Sequence, residues 1–383
     1  MYWLPLSIPV CASIKNREPE FLHMRLNPLT LKKLRRFRSI RRGWWSFLVL
    51  AIAFLLSIFA DLWVNSRALV VQYEGKFFFP TYTHFNSWHD FGLRLEEPGG
   101  TAEVDYRELQ QAFKEAGDGN WVLMPLVPYD PLENDFKGAS DSKPTPPDFK
   151  SKHYLGTDST GRDIFARLVY GFRIAMVFAI GFMVMVYAIG ILVGCAMGYF
   201  GGYSDLLGQR LIEIWANIPF LYMVIIMVAI IPANLSEEFR IALLLLIMVL
   251  FSWTTMTYYM RTSVYKEKAR DYIAAAQLLG AGSFRILFNH LLPNTVSTLV
   301  TFAPFTIATA ITSITALDFL GFGLPPPVPS LGELLKQGIE KRDVAPWIVS
   351  SAFVAMVAIL TLVTFIGEAV REAFDPKKFT TYE

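Results

Sequence analysis

The residues from Ile174 to Ser204, IAMVFAIGFMVMVYAIGILVGCAMGYFGGYS, contain no charged side chain. An α-helix rises 1.5 Å per residue, so about 20 apolar residues cross the roughly 30 Å hydrocarbon core of a bilayer. This stretch is therefore long enough to span a membrane. Five more runs of at least 18 residues also lack Asp, Glu, Lys and Arg: Gly43–Ala60, Ile214–Ser236, Ile241–Met260, Ile286–Leu317 and Val344–Gly367.

The six runs predict an all-α polytopic membrane protein with six transmembrane helices. Hydrophobic residues make up 53% of the 383 positions, which is too many for a typical soluble globule. We divide the chain into a cytoplasmic segment (1–43), a first transmembrane helix (44–63), a periplasmic insertion (64–165), a core with helices two to six (166–376) and a cytoplasmic tail (377–383).

Basic residues indicate which helix ends face the cytoplasm, because loops rich in Lys and Arg stay inside. The segment before the first run is rich in them: Arg25, Lys32, Lys33, Arg35, Arg36, Arg38, Arg41 and Arg42. We therefore expect cytoplasmic termini. The cluster adjoins Trp44, Trp45 and an apolar helix, which favours contact with membrane lipid over nucleic acid. Residues 1–23 differ in character, and we predict that they are a dispensable extension before Met24.

The insertion is an acidic connection of about 100 residues, far longer than most loops, and should carry some structure. Asp105, Glu108 and Gly117 predict a capped helix over Asp105–Ala116. Its apolar face would consist of Tyr106, Leu109 and Phe113. Aromatic residues supply a small core or a surface patch: Phe77, Phe78, Phe79, Tyr82, Phe85, Trp88 and Phe91.

The sequence LGTDSTGRD (155–163) precedes the second span, and we call it the outer-turn motif. Gly156 and Gly161 permit tight turns, and Thr157, Asp158 or Ser159 can cap the coming helix. One interpretation is a polar turn at the membrane surface. The other is that Asp158, Arg162 and Asp163 lock the turn against neighbouring loops at the outer mouth of a pathway. Phosphate binding is disfavoured, because no strand precedes the motif and no Gly-Lys-Ser/Thr follows it.

The spans contain residues that favour helix packing, but no ionisable group that could couple transport to an ion gradient. Gly190, Gly194 and Gly198, spaced by four, predict close contact between helices, and Pro219 predicts a kink. No charge lies at the middle of a span, where proton- or ion-coupled carriers place ionisable groups. Energy for transport must therefore come from elsewhere. Two cysteines and five scattered histidines predict neither a disulfide framework nor a metal site.

The loop between runs four and five, 261–294, is amphipathic but does not span. Asp271 to Gly280 predicts a helix that stops at the glycine, and Phe284 to Leu292 predicts a second short helix before Pro293. Three consecutive alanines, Ala274, Ala275 and Ala276, form a narrow ridge suited to burial in a protein groove. His290 and Leu292 lie at the boundary with span five.

This loop resembles the "EAA" coupling loop of ABC-importer permeases. That loop has an Ala-Ala pair, a glycine four positions on, and a Leu-Pro whose proline falls thirteen beyond the glycine. Ala275, Ala276, Gly280, Leu292 and Pro293 match this register, whereas Ala274 stands where the family usually has glutamate. The outer-turn motif matches the "LGTDxxGRD" of the dipeptide/oligopeptide (DppC/OppC-like) branch at Gly156, Thr157, Asp158, Gly161, Arg162 and Asp163. The segment 317–332 and the ending 367–376 are similar to the same branch, and the long outer loop most resembles its Yej-type members.

The resemblance implies a type I ABC-importer permease in a bacterial inner membrane, importing oligopeptides or peptide-like compounds such as microcin C. Implied partners are a second permease that completes a heterodimeric pore, a cytoplasmic ATPase with two nucleotide-binding domains, and a periplasmic peptide-binding protein. The chain itself has no Gly-x-x-x-x-Gly-Lys-Ser/Thr loop, so it should be neither an enzyme nor a site for ATP or Mg²⁺.

Three alternatives stay open at this point. The first is a membrane-anchored sensor or scaffold, which would not need an alanine ridge. The second is a stand-alone channel or carrier, which the uncharged spans oppose. The third is an ABC permease for another solute such as nickel, which clustered Met or His residues along the spans would favour.

Overall fold

The structure, a computed structural model, describes residues 28–83, 88–92, 103–135, 144–232 and 234–375. The predicted extension 1–23, Phe85 and the tail 377–383 lie outside these residues. Five helices in the described part are long and apolar enough to cross a membrane. They are α2 (Arg41–Ile58), α4 (Ile164–Phe200), α7 (Glu237–Lys268), the continuous helix Ser283–Leu320 and α12 (Pro346–Phe374). The chain is therefore a multi-pass, mostly helical membrane protein, as predicted.

The predicted third span is broken. It consists of α5 (Gly202–Ala216) and α6 (Phe220–Ala229), which are bent by 74° relative to each other. Pro219 immediately precedes α6. Proline lacks a backbone N–H and disfavours the helical conformation of the residue before it, so the helix cannot continue through Ile218 and Pro219. The kink predicted at Pro219 is confirmed, and this pair brings the number of candidate spans to six.

The glycine series of α4 packs against α7. A Cβ atom on Gly194 would lie 2.6 Å from the carbonyl oxygen of Thr257, and one on Gly190 would lie 2.7 Å from the Cβ of Met256. Only glycine lets the two helices come this close. The predicted close contact is confirmed, and the buried side chains beside it form the main apolar core.

The helices alternate between two ends of the bundle. The insertion end carries the starts of α4 and α12, whereas the loop end carries α1 (Pro28–Ser39) and α8 (Asp271–Leu278). At the loop end, the ammonium of Lys33 on α1 lies 4.8 Å from the ring centre of Phe374 on α12. Nearby, Gly43 at the start of α2 lies directly against Ala369 of α12. The start of α2 and the end of α12 therefore lie together.

The insertion adds a small sheet that the sequence analysis did not predict. Strands β1 (Val70–Tyr73), β2 (Lys76–Phe78) and β3 (Trp121–Leu123) are antiparallel in the order β2-β1-β3. Helix α3 (Tyr106–Ala116) covers one face. Asp105 caps α3 and Gly117 ends it at φ +68°, so the predicted helix is confirmed, as is its buried face. The strands are three or four residues long, too short for an alternating pattern to stand out in the sequence.

Candidate functional sites at the two ends of the bundle

The outer-turn motif is organised around the carboxylate of Asp158, which is fully buried. Its Oδ1 accepts hydrogen bonds from the backbone N–H and the hydroxyl of Thr160, both at 2.8 Å, and from the N–H of Arg162 at 3.0 Å. Gly156 and Gly161 have φ angles of +76° and +82°, which other residues rarely adopt. The motif is therefore a rigid, self-bonded turn.

Asp163 is the residue that caps α4, which corrects the expectation that Thr157, Asp158 or Ser159 would do so. Its Oδ1 accepts the N–H of Ala166 at 2.7 Å. Thr157 instead accepts the N–H of Thr145 at 2.8 Å through its hydroxyl. The carboxylate of Asp158 instead faces Arg162 and Arg167. Asp163, the last residue of the motif, is therefore the one that caps the helix.

Two arginines join the outer turn to α11 (Leu331–Glu340). Arg162 Nε donates to Asp158 Oδ2 at 2.9 Å, and Arg162 Nη2 lies 3.2 Å from Glu333 Oε1. Arg167, fully buried on the first turns of α4, pairs with the other oxygen of Glu333 and donates to the carbonyl of Pro131 at 3.2 Å. Charge-assisted hydrogen bonds of this kind are stronger than neutral ones. The turn, the start of α4 and α11 therefore form one body.

His153 lies beneath the same turn and is buried, although it was grouped with scattered histidines in the sequence. Its Nδ1 is 2.8 Å from Asp163 Oδ2, its Nε2 is 3.4 Å from Asp135 Oδ2, and its ring stacks on Tyr129 at 3.9 Å between centroids. Burial lowers the pKa of His153, but the hydrogen bonds to Asp135 and Asp163 outweigh it and raise the pKa to about 9. The ring is therefore cationic at neutral pH.

Glycines bring α11 onto the end of α10 (Leu292–Leu320). A Cβ atom on Gly332 would lie 2.2 Å from the carbonyl oxygen of Thr315. Asp318, buried near the end of α10, accepts the N–H of Leu324 at 2.6 Å, and Gly323 leaves no room for a side chain beside it. Close contacts thus require glycine at positions 323 and 332.

At the other end of the bundle, α8 presents an uncovered face. Ile273 is buried against the bundle, whereas Ala274, Ala275 and Asp271 are exposed and Ala276 is half-buried. Leu278 and Leu279 are each 89% exposed. Gly280 ends this segment with φ +79°, as the sequence predicted. Exposed leucines beside small side chains form an apolar surface of the kind that protein partners cover.

The second short helix predicted at 284–292 is not a separate element. Residues Ser283–Arg285 (α9), a π-helical turn over Ile286–Leu291 and α10 form one continuous helix to Leu320. Pro293 follows the π-helical turn, in the first turn of α10. A wider turn of this type accommodates the missing N–H and the ring of a proline, so one helix continues where a boundary between two helices was expected. His290 and Leu292 therefore lie inside a long helix.

An ionic cluster connects the loop end of α7 with α5. Arg261 binds both carboxylate oxygens of Asp205, with Nη2 at 2.7 Å from Oδ2, and Tyr265 donates its hydroxyl to Oδ2 at 2.8 Å. Lys268 donates to the carbonyl of Tyr199 at 2.5 Å. The helix that leads into α8 is thus bound to the turn between α4 and α5.

One face of α10 carries hydroxyl groups along the bundle. Thr309 and Thr312 are exposed and Thr301 is half-buried, while Ile311 and Ile314 on the opposite face are fully buried. Each hydroxyl donates to a carbonyl four residues earlier, for example Thr301 to Ser297 at 2.7 Å. The face carries no charged side chain, and its hydroxyls alternate with the apolar Phe305.

The structure gathers the six outer-turn residues into one unit, whereas the loop residues are spread over α8, Gly280 and the start of the long helix. Sequence reasoning missed Arg167, Glu333, Asp205 and the buried state of His153. Arg167 and Glu333 are 166 positions apart, so no local pattern connects them. Arg167 also lies seven positions before the charge-free run Ile174–Ser204, so it did not stand out as a charge inside a span.

Known transport proteins resemble this chain over most of its length. Residues 190–380 match the family described as "Binding-protein-dependent transport system inner membrane component". The chain is 38% identical to the Inner membrane ABC transporter permease protein YejE of Escherichia coli, over 92% of this chain and 99% of that protein. It is 36% identical to the Peptidoglycan transport system permease protein YejE of Agrobacterium fabrum, over 95% of this chain and 96% of that protein.

More distant relatives include the Dipeptide transport system permease protein DppC of Haemophilus influenzae. It is 33% identical over 67% of this chain and 85% of that protein. Among solved structures, an inward-facing form of the MetNI methionine ABC transporter is 17% identical, with a TM-score of 0.45, over 55% of this chain and 98% of that one.

Proposed function

We propose that this chain, which belongs to the family of inner membrane components of binding-protein-dependent transport systems, forms half of the translocation pore of an ATP-driven importer of peptides. As a member of this family it is a transport subunit and not an enzyme. Nucleotide binding in such systems belongs to a partner ATPase, and a substrate-binding protein is the other family partner. The pore's second half would be another permease.

The loop end faces the cytoplasm in this proposal. It carries the basic helix α1, with Lys32, Lys33, Arg35, Arg36 and Arg38, and it carries α8. Basic segments are retained inside, so both termini would be cytoplasmic and the insertion with the outer turn would be periplasmic. A reporter fused to the C-terminus should lie in the cytoplasm, and a reporter placed within the insertion should lie in the periplasm.

The single observation that supports ATPase coupling is the uncovered apolar face of α8. Leu278 and Leu279 would be buried in a groove of the ATPase, and Ala274 and Ala275 would allow close approach. Arg261 and Asp205 would transmit the movement of α8 to α4 and α5. The outer turn, locked to α11 by Arg162, Arg167 and Glu333, would provide a rigid periplasmic surface for the binding protein.

The test is a pair of variants on α8. Ala275→Glu places a charge in the proposed contact, so we expect the ATPase to be lost from complexes purified through this chain. Gln277→Glu adds the same charge to the flank of the same helix, and we expect it to keep the ATPase. Undiminished co-purification with Ala275→Glu would reject the docking face.

The peptide substrate is supported by the names of the relatives and by the chemistry of α10. These uncharged hydroxyl oxygens can still accept hydrogen bonds from the N–H groups of a peptide backbone, whatever its side chains are, which suits varied peptides. Labelled-peptide uptake should disappear in cells lacking this chain, return with the wild type and fail to return with Ala275→Glu. Uptake of Ni²⁺ instead of peptide would favour the nickel alternative.

A further inference from the structure

A basic basin lies at the loop end between α1, α7, α10 and α12. It consists of a cavity of about 460 Å³ and an adjoining cavity of about 450 Å³, which share Lys266, Ser297, Thr298 and Phe374. Thr301 lines the second cavity and also lies on the hydroxyl face of α10. The basin therefore adjoins the hydroxyl face of α10, which we proposed above to contact the peptide backbone.

The charge of the basin is predominantly positive. Its four cationic side chains are Lys33, Lys266, Arg270 and Arg371, against the carboxylates of Glu267 and Asp375. Glu267 is already engaged, because its Oε2 lies 3.1 Å from Arg270 Nε and 3.0 Å from the hydroxyl of Tyr272. Lys266 and Arg371 form no ion pair with any residue that the structure describes.

The basin also supplies neutral donors at the same place. Ser263 and Thr298 have their hydroxyls 3.0 Å apart on α7 and α10, and Ser297 lies on the next position of α10. An anion held here would therefore meet ammonium, guanidinium and hydroxyl donors together, the combination that makes charge-assisted hydrogen bonds short and strong.

The shape of the basin favours a soluble anion over a lipid. A phospholipid headgroup site needs an adjoining groove for acyl chains. Only two apolar residues, Phe302 and Phe374, line the basin, and they are too few to form such a groove. A wide apolar groove is formed elsewhere, by α2, α4 and α12, with Leu50, Phe172 and Ile359 in its wall. It shares no lining residue with the basin.

We propose that the basin binds the C-terminal carboxylate of a peptide as it leaves the pathway on the cytoplasmic side. Any linear peptide carries this group, and it is ionised at neutral pH. Recognition of the terminus would hold peptides of different sequence at one exit site. The inference rests on the proposed function, and it adds a preference for free over blocked C-termini.

The test compares two labelled peptides that differ only in a C-terminal carboxylate or amide. Uptake is measured with the complete importer in vesicles of phosphatidylcholine, for the wild type and for Lys266→Gln combined with Arg371→Gln. We expect the wild type to import the carboxylate form several-fold faster, and the double variant to bring the ratio close to one. The control Lys341→Gln removes an exposed cation at the insertion end and should leave the ratio unchanged.

Other results have different meanings. A ratio near one in the wild type, an equal loss of both peptides in the double variant, or an unchanged ratio in that variant would each overturn the carboxylate site. If added phosphatidylglycerol restores the wild-type ratio of carboxylate to amide uptake in the double variant, the basin would instead bind a lipid headgroup. That result would also overturn the carboxylate site. Absence of any peptide uptake by the wild-type importer would instead count against the proposed function.

Discussion

Arg167 and Glu333 form an ion pair that joins the start of α4 to α11, across 166 positions of sequence. The arginine is fully buried, and its Nε lies 3.5 Å from Asp158 Oδ2. Glu333 also receives Arg162 and the side-chain amide of Gln337, at 2.8 Å. The carboxylate of Glu333 thus connects the outer turn, α4 and α11. Its ion pair with Arg167 holds these three elements together at the insertion end.

Removing that carboxylate should destabilise the protein strongly. Glu333→Gln leaves the buried guanidinium of Arg167 without its main counter-charge, and breaking such a pair typically costs about 3–5 kcal/mol. We expect a clear fall in the thermal unfolding temperature of the purified protein. Glu340→Gln changes an exposed carboxylate on the same helix and should have almost no effect. Equal unfolding temperatures for the two variants would show that the pair is dispensable.

The stabilising contribution of His153 should depend on pH. Its pKa in the folded protein, about 9, lies above the ordinary value of 6.5. A raised pKa gives stability that is fully present below pH 6.5 and is lost as the pH rises through about 9. The difference in unfolding temperature between wild type and His153→Gln should therefore be largest at pH 6 and small at pH 10. The pH-dependent part of the free energy of unfolding has an upper limit of about 3 kcal/mol. A difference that stays constant with pH would contradict a protonated ring.

Helix contact between α4 and α7 gives a matched pair of glycine substitutions. Gly194→Ala drives a methyl group into the carbonyl of Thr257, and overpacking of this kind costs about 1–3 kcal/mol. Gly181→Ala on the same helix meets only an ordinary contact, 3.5 Å from Leu245 Cδ2, and should be neutral or stabilising because alanine favours helix. Unfolding temperatures of the two variants measure the contrast.

The Asp205–Arg261 pair should affect coupling more than assembly. Arg261→Lys keeps the charge but loses the two-pronged contact with the carboxylate, so α7 is held less firmly to α5. We expect less peptide imported per ATP hydrolysed, with the ATPase still bound. Arg210→Lys alters an exposed pair with Glu213 and serves as the control. An unchanged ratio of transport to hydrolysis in Arg261→Lys would exclude this route.

The sequence was sufficient to predict features that depend only on residues close together in the chain. Asp105 and Gly117 fixed both ends of α3, and Pro219 located the break in the third span, because capping and proline geometry act within one helical turn. The continuous helix through Pro293 was not foreseen, since the same residue type stops a helix or is absorbed by a π-helical turn according to the packing around it.

The sequence by itself determined the membrane class, the number of apolar runs and the glycines that allow close helix contact. These follow from bilayer thickness and from steric size, which are properties of short segments. Only the tertiary structure decided that Arg167 meets Glu333, that Arg261 meets Asp205, and that His153 lies between two carboxylates. It also decided that basic side chains from α1, α7, α12 and the turn between α7 and α8 surround one basin. Such contacts depend on how distant segments pack, because a charge near a membrane is stable only where the fold supplies its partner.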